Sequence, residues 1–245
     1  MKSLLSLVAV TAMFVGSNAM AIDAAKLTAA LASADRSDAD KALDMGRKPV
    51  PVLDYLGLEE GMTALDVMAG GGWFTEVLSY AVGPEGTVLM QNGAGSLARG
   101  TTEATVQARL DGRLDNVMRV NKELNDLGLA QNSVDFAITN MNIHDVYNNN
   151  PEAAQAMLQA VKAVLKPGGV FAIIDHAGTM GTDYAPLHRI PKEVVLEAAR
   201  QAGFTVMEGD SQILHVPTDD HTLPSSAPEL GRNTDRFIVK LTKSM

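Results

Sequence analysis

The sequence predicts an α/β protein: a mostly parallel sheet covered by helices on both faces. Three observations carry this reading. Short strand-like apolar runs alternate with amphipathic helix-like runs along most of the chain. The run at 170–174 is almost entirely apolar, as a strand buried on both faces must be. A third run, 64–68, leads straight into three glycines and then a helix-like stretch, the arrangement that places a ligand crevice at the carboxyl edge of an open sheet.

The elements follow in order. Residues 24–46 predict a helix with Leu27, Ala30, Leu31 and Ala34 on one face and Gly46 as its stop. Pro49 and Pro51 interrupt, and 52–58 reads as a further short helix. A strand at 64–68 precedes the glycines. Phe74, Val77, Leu78 and Ala81 then fall at the spacing of one helix face. Gly83-Pro84-Glu85-Gly86 is a turn, and strands are expected at 87–90, 117–120 and 134–139. Pro151 opens a helix with Ala154, Met157, Leu158, Val161 and Leu165 inward. Lys166-Pro167-Gly168-Gly169 is expected to end it through a left-handed glycine. After the strand at 170–174 come a helix at 191–202, closed by Gly203, and strands at 204–207 and 237–241. Residues 216–235, rich in Pro, Asp and Ser, read as an irregular insertion.

Length and composition narrow the function. The chain has 245 residues, enough for one α/β domain or two small ones, and 46% hydrophobic against 20% charged residues is a folding composition. Net charge is −9 with no basic cluster, which argues against nucleic acid and anionic membranes as partners. With no cysteine, disulfides, thiolate metal sites and a cysteine nucleophile are excluded. The thirteen methionines fall mostly at apolar helix or strand positions and read as core filler.

Residues 1–21 read as a secretory signal peptide. Lys2 supplies the positive start, 4–15 the apolar run, and Ala19-Met20-Ala21 the small-residue cleavage pattern, with cleavage after Ala21. The apolar run is too short to span a bilayer. A periplasmic or secreted protein is expected, with no membrane partner once the signal is removed. Residues 22–60 then form an N-terminal helical segment and 61–245 the main domain.

The strongest chemical signal is Ala64-Leu65-Asp66-Val67-Met68-Ala69-Gly70-Gly71-Gly72-Trp73-Phe74. Glycines let a ligand approach the backbone closely, and the following helix start offers free N–H groups. The plain alternative is a tight strand-to-helix connection with no ligand. The chain has no Gly-Lys pair for a P-loop, no Tyr-x-x-x-Lys, no Gly-x-Ser-x-Gly and no His-Glu-x-x-His. These absences favour S-adenosylmethionine.

Three segments carry a family resemblance. Leu65-Asp66-Val67-Met68-Ala69-Gly70-Gly71-Gly72 and its continuation resemble motif I of class I S-adenosylmethionine-dependent methyltransferases. The stretch 134–147, VDFAITNMNIHDVY, resembles their fourth strand and following loop, and 165–176, LKPGGVFAIIDH, their fifth strand. The likeness covers roughly residues 45–210 and is greatest to a group of exported bacterial proteins usually called predicted methyltransferases. That group also shows Gly46-Arg47-Lys48-Pro49, His188-Arg189-Ile190 and Asp219-Asp220-His221. The resemblance implies a Rossmann-like three-layer sandwich whose seven-stranded sheet has one antiparallel strand at the end, and makes 61–245 a class I methyltransferase domain.

Carried over by position, the resemblance implies that Asp66 organises the loop near the methionine part of the cofactor, and that Ala69, Gly70, Gly71 and Gly72 pass beneath it. Asn92, 22 residues after Gly70, stands where the family has an acid on the ribose. Glu123 with Leu124 matches the adenine contact, and Asn140 opens toward the transferred methyl group. Met68 stands where the family prefers glycine. His144 is the candidate catalytic residue, as base or acceptor orienter, with a loop-ordering role bonded to Asp145 or backbone as the alternative. Trp73 walls the cofactor pocket or simply packs. His176, His188, Asp219, Asp220 and His221 form one ligand set only if folding gathers them. Their spacing fits no compact metal motif, so a polar lid network is expected and no metal.

The reading is therefore S-adenosylmethionine-dependent methyl transfer to an unidentified small molecule. Its alternative is a catalytically inactive binding protein of the same fold in the periplasm, and a third is a cytoplasmic enzyme with an inefficient signal. Nothing in the sequence speaks to oligomeric state.

Overall fold

The computed structural model of the chain describes residues 20–207 and 212–245. The expected signal peptide lies outside them except for Met20 and Ala21. β1 (Met20–Ala21) precedes three helices, α1 (Ala24–Leu31), α2 (Asp38–Arg47) and α3 (Pro49–Leu56), and pairs antiparallel with β2 (Glu59–Glu60). Cleavage after Ala21 would remove β1 but leave the buried Ile22.

The single helix expected over 24–46 is two. Ser37 accepts a hydrogen bond from the Asp40 N–H and starts α2, with Asp38 and Asp40 in its first turn, where acids suit the helix dipole. Buried Arg36 fills the break, donating to the Leu31 carbonyl at the end of α1 (3.0 Å) and to Asp44. Gly46 does not end α2; Lys48 does, at φ 46°. Pro49 then stands at the first turn of α3, where its missing N–H costs nothing.

The main sheet follows: β3 (Thr63–Val67), α4 (Trp73–Val82), β4 (Thr87–Gln91), α5 (Ala94–Leu97), α6 (Thr102–Leu110), β5 (Val117–Val120), β6 (Val134–Asn140), α7 (Ile143–Asn149), α8 (Pro151–Val164), β7 (Leu165–His176), α9 (Lys192–Gln201), β8 (Thr205–Val206) and β9 (Arg236–Thr242). The seven strands run in the order β5-β4-β3-β6-β7-β9-β8. β9 alone runs against its neighbours, pairing antiparallel with both β7 and β8. The antiparallel strand is thus last in the chain but next to last in the sheet.

Period-two alternation divides the core. Leu65, Val67, Ala137, Phe171, Ile173, Val239 and Leu241 face α8 and α9 on one side. Ala64, Phe136, Ile138, Ala172, Ile174 and Ile238 join a second cluster with residues of α1, α3 and α4. The helices of 22–60 therefore share a core with the sheet.

The expected glycine stop of α8 does not form. Val164 is its last residue, and Leu165 is already extended and paired with Val134. Gly168, at φ 79°, makes a turn tied to Lys243 beyond β9. Sheet pairing thus claims the segment that local sequence assigned to a helix cap. The glycine stop does hold at α9, where Gly203 (φ 80°) donates to Arg200 and Phe204 donates to Ala199.

The insertion at 216–235 is irregular apart from one 3₁₀ turn, Pro228–Leu230. Fully buried Arg189 staples it. Its guanidinium binds both oxygens of Asp219 (2.8 and 3.0 Å) and the carbonyls of Leu223 and Ala177. The His188-Arg189-Ile190 and Asp219-Asp220-His221 segments are therefore neighbours. Among the described residues, no helix is long and apolar enough to cross a membrane.

Candidate active site

The glycine loop leaves β3 at its carboxyl end. Met68 (φ 58°), Gly70 (φ 55°) and Gly72 (φ 82°) all take left-handed backbone, so the site where the family prefers glycine keeps that conformation with a side chain. Two of the glycines answer to the protein itself. A β-carbon on Gly72 would come 2.7 Å from Met90, and one on Gly71 would come 3.0 Å from Thr105 of α6. Gly70 faces open space.

Gln91 and Asn92, at the end of β4, hold this loop. Gln91 Oε1 accepts from the Met68 N–H (2.8 Å), and its Nε2 donates to the Lys122 carbonyl. Asn92 Oδ1 accepts from the Gly70 N–H (2.9 Å), while its Nδ2 donates to the Gly70 carbonyl (3.0 Å). Only an amide can do both, since a carboxylate has no donor. Both carboxamide atoms thus clasp the loop where the sequence reading expected a ribose acceptor. Glu123 accepts from the Ala94 N–H (3.0 Å), and Leu124 packs partly buried against the core. Neither lines the cleft above the glycines.

That cleft, about 340 Å³, is walled by Met68, Ala69, Gly70, Gly71, Trp73 and Asn140, with Asp66, Asp40, Arg47 and Arg109 as its charged groups. Burial pushes the Asp66 carboxyl up to about 7, although Thr75 donates to it at 2.6 Å. Burial acts the same way on Asp40, but hydrogen bonds from Arg109 and Ser37 outweigh it and hold Asp40 below the usual carboxylate range. Arg109 also donates to the Gly71 carbonyl (2.7 Å) and to buried Glu76, locking α6 onto the loop. Arg47 lies over the Trp73 ring, 4.5 Å from its centroid. Trp73 does both things the sequence allowed: it walls the cleft, and it is buried against Phe74. Sequence reasoning missed Asp40, Arg47 and Arg109 as cleft residues. The Gly46-Arg47-Lys48-Pro49 segment was the one available signal.

A larger cavity, about 860 Å³, adjoins the cleft, and Leu43, Arg47 and Met141 line both. The imidazole that faces it is His176 and not His144. Burial drives His176 down to about 4, with Asp175 opposing and His144, Arg236 and Arg189 adding repulsion. His144 is buried on α7. Its Nδ1 meets Asp175 Oδ1 at 2.7 Å, its backbone N–H donates to Asp175 Oδ2, and its Nε2 lies 3.3 Å from Asp145. Burial disfavours the imidazolium, but Asp175 outweighs it and raises the His144 pKa. The ring is thus held chiefly by Asp175, and not by the Asp145 or backbone partner that the loop-ordering alternative named.

The five-residue ligand set does not assemble. His176 pairs with Thr234, His188 with Asp145, and His221 lies near Asp219 and Asp235. Among the described residues the group whose ligand atoms converge, within 4.8 Å of one another, is His144, Asp145 and His188.

Residues 65–173 match a family model described as "Methyltransferase domain". Demethylmenaquinone methyltransferase of Staphylococcus aureus is 30% identical over 124 residues, covering 51% of this chain and 47% of the relative. The chain thus matches about half the length of that curated relative. Among solved structures, a SAM dependent methyltransferase from Aquifex aeolicus aligns with TM-score 0.62 at 23% identity, covering 90% of this chain and 98% of the other. The [4+2]-cyclase SpnF aligns with TM-score 0.59 at 17% identity, over 82% of this chain and 81% of its own. The fold is the Rossmann-like sandwich of these proteins, and it houses more than one reaction.

Proposed function

We propose that this protein binds S-adenosylmethionine in the glycine-loop cleft and transfers its methyl group to a small molecule in the adjoining cavity. One observation carries the reading: the cleft sets carboxyl groups, Asp66 and Asp40, and a guanidinium, Arg47, around a glycine loop that leaves open space at Gly70. A zwitterionic amino-acid end suits that arrangement, with its ammonium toward the carboxyls and its carboxylate toward Arg47. The match of 65–173 to a methyltransferase domain supports the same ligand.

S-adenosylmethionine, when bound, supplies a methyl group on a sulfonium sulfur, whose departure needs no protonation. The chain's own task is alignment. Asn92 and Gln91 fix the loop, Arg109 clamps it from above, and Asn142 donates to the Met68 and Asn140 carbonyls (3.2 and 2.9 Å) to join the loop to the end of β6. His176, neutral at pH 7, faces the acceptor cavity and can orient an acceptor there by a hydrogen bond. His144 is the positioning group behind it, holding Asp175 at the end of β7.

Titration calorimetry of the purified protein with S-adenosylmethionine and S-adenosylhomocysteine tests the reading. Micromolar binding supports it. No heat at millimolar ligand, with the protein shown folded, overturns it and leaves the catalytically inactive binding protein as the better account. Export is part of the proposal: the signal pattern of 1–21 supports a mature protein in the periplasm or outside the cell. N-terminal sequencing should find Ile22, and an intact Met1 on cytoplasmic protein would refute export.

A further inference from the structure

The chain carries a net charge of −9, yet the larger cavity is lined by Arg47, Lys48, Arg232 and Arg236 and, among the described residues, by no aspartate or glutamate. The carboxylates that oppose these charges, Asp40 and Asp44 toward Arg47 and Asp235 and Asp219 toward Arg236, lie outside the cavity lining. Arg236 is buried and donates to the carbonyls of Gly46 (2.7 Å) and Thr234 (3.2 Å); Lys48 donates to the carbonyl of Ile213 (2.7 Å). Carbonyls satisfy the donors but leave the positive charge. Arg47 and Arg232 have no hydrogen bond or ion pair among the described residues. Nearby acids are engaged elsewhere. Asp40 is held by Arg109, Asp44 by Arg36 and Trp73, and Asp235 by His215 and the Val216 N–H. Burial and the repulsion of Arg236 and Arg232 drive Arg47 down to about 10, against the opposing pull of Asp40 and Asp44.

Crowding like charges costs free energy that a bound anion would return. Arg232 adds to the cost, since its backbone takes φ 62°, a left-handed conformation disfavoured for arginine. The wall also carries an apolar side, Leu43, Met141, Leu214 and Val216, beside the polar His176, Ser225, Ser226 and Asn233. We infer that this cavity takes an anionic small molecule with an apolar body, its carboxylate or phosphate group held by Arg232 and Arg236 and its apolar part against Leu214, Val216 and Met141. Calling that molecule the methyl acceptor rests on the reading above; the anion site itself does not. The shared wall of Leu43, Arg47 and Met141 puts such a ligand beside the glycine-loop cleft.

Four probes test this on the full-length protein: indole-3-acetate against indole-3-acetamide, and phenyl phosphate against phenol. At least one acid should bind tenfold or more tighter than its neutral partner, and which acid does so separates carboxylate from phosphate recognition. Arg232→Asn, which tolerates the left-handed backbone, should weaken that acid about tenfold, and Arg232→Glu should weaken it further, with little effect on the neutral probe. Urea denaturation confirms that both variants fold. The inference is overturned if neither acid is preferred, if no probe binds, or if the preference survives both variants. S-adenosylhomocysteine, titrated separately, reports on the other cleft. Binding of it without acid preference sinks this inference alone; acid preference without it sinks the cofactor reading and leaves the anion site standing.

Discussion

Replacing Asp66 by asparagine should make the protein more stable above neutral pH and should change how stability depends on pH. The folded carboxyl titrates at about 7, against 3.8 for an unperturbed one, because burial removes its hydration. The folded state therefore keeps its proton over a range where the unfolded state has lost it. Stability from this group is complete below about pH 4 and is lost as pH rises toward and through about 7. The asparagine amide has no such proton, and its oxygen can still accept from Thr75 Oγ, now 2.6 Å from the carboxylate. The gap of about 3 pH units corresponds to about 4 kcal/mol in full, of which about 2.5 kcal/mol falls between about pH 5 and about pH 8. Urea denaturation of both proteins across that range measures it directly. The difference in unfolding free energy, variant minus parent, should grow by roughly that amount with rising pH. Parallel curves would show that Asp66 ionises normally in the fold and would refute the argument from burial.

Further outcomes follow from the same contacts. Asn92→Asp removes the donor to the Gly70 carbonyl and sets a carboxylate against it, so it should cost about 1–3 kcal/mol in denaturation, even though it restores the acid of the family pattern. Asp175→Asn removes the carboxylate that raises the His144 pKa, so the His144 ring resonance should titrate at lower pH by NMR, and an unmoved midpoint would disprove the coupling. Arg189→Met leaves Asp219 buried without its bidentate partner and should lower stability by about 3–5 kcal/mol, read from thermal or urea unfolding. Arg189→Lys should rescue it only in part, because an ammonium cannot reproduce the planar fork.

The strand-to-helix passage around the glycines was legible because it depends on local chemistry. An apolar run, residues that tolerate left-handed backbone and an amphipathic helix are each written within a dozen positions. The same holds for β6, α8, β7 and α9, whose apolar spacing matches the faces they bury. Where the reading slipped, a non-local contact had intervened. Nothing near Gly168 announces that it will pair with Lys243. The break at 32–37 rests on Arg36, which must reach both the Leu31 carbonyl and Asp44.

The site divides the same way. The residues of the glycine loop were found from their order in the chain. Asp40, Arg47 and Arg109 were missed because α2 and α6 reach the loop only in three dimensions. The bonds of Asn92 to Gly70 were not legible, since hydrogen-bond partners depend on where Gly70 comes to lie. His144 was placed correctly at the carboxyl edge, while His176, its near neighbour, is the imidazole that faces the cavity.

The sequence by itself determined the α/β architecture, the strand that ends in glycines and the class of ligand to consider, because periodicity and backbone permissiveness are properties of short segments. Only the tertiary structure decided that four cations share one cavity wall with no carboxylate among the described residues, that Arg189 joins two distant segments, and that an amide clasps the loop. Charge balance, burial and hydrogen-bond pairing depend on which residues meet across the fold, and pairs such as Arg36 with Asp44 or Arg236 with Gly46 are fixed only once the sheet and its helices have packed.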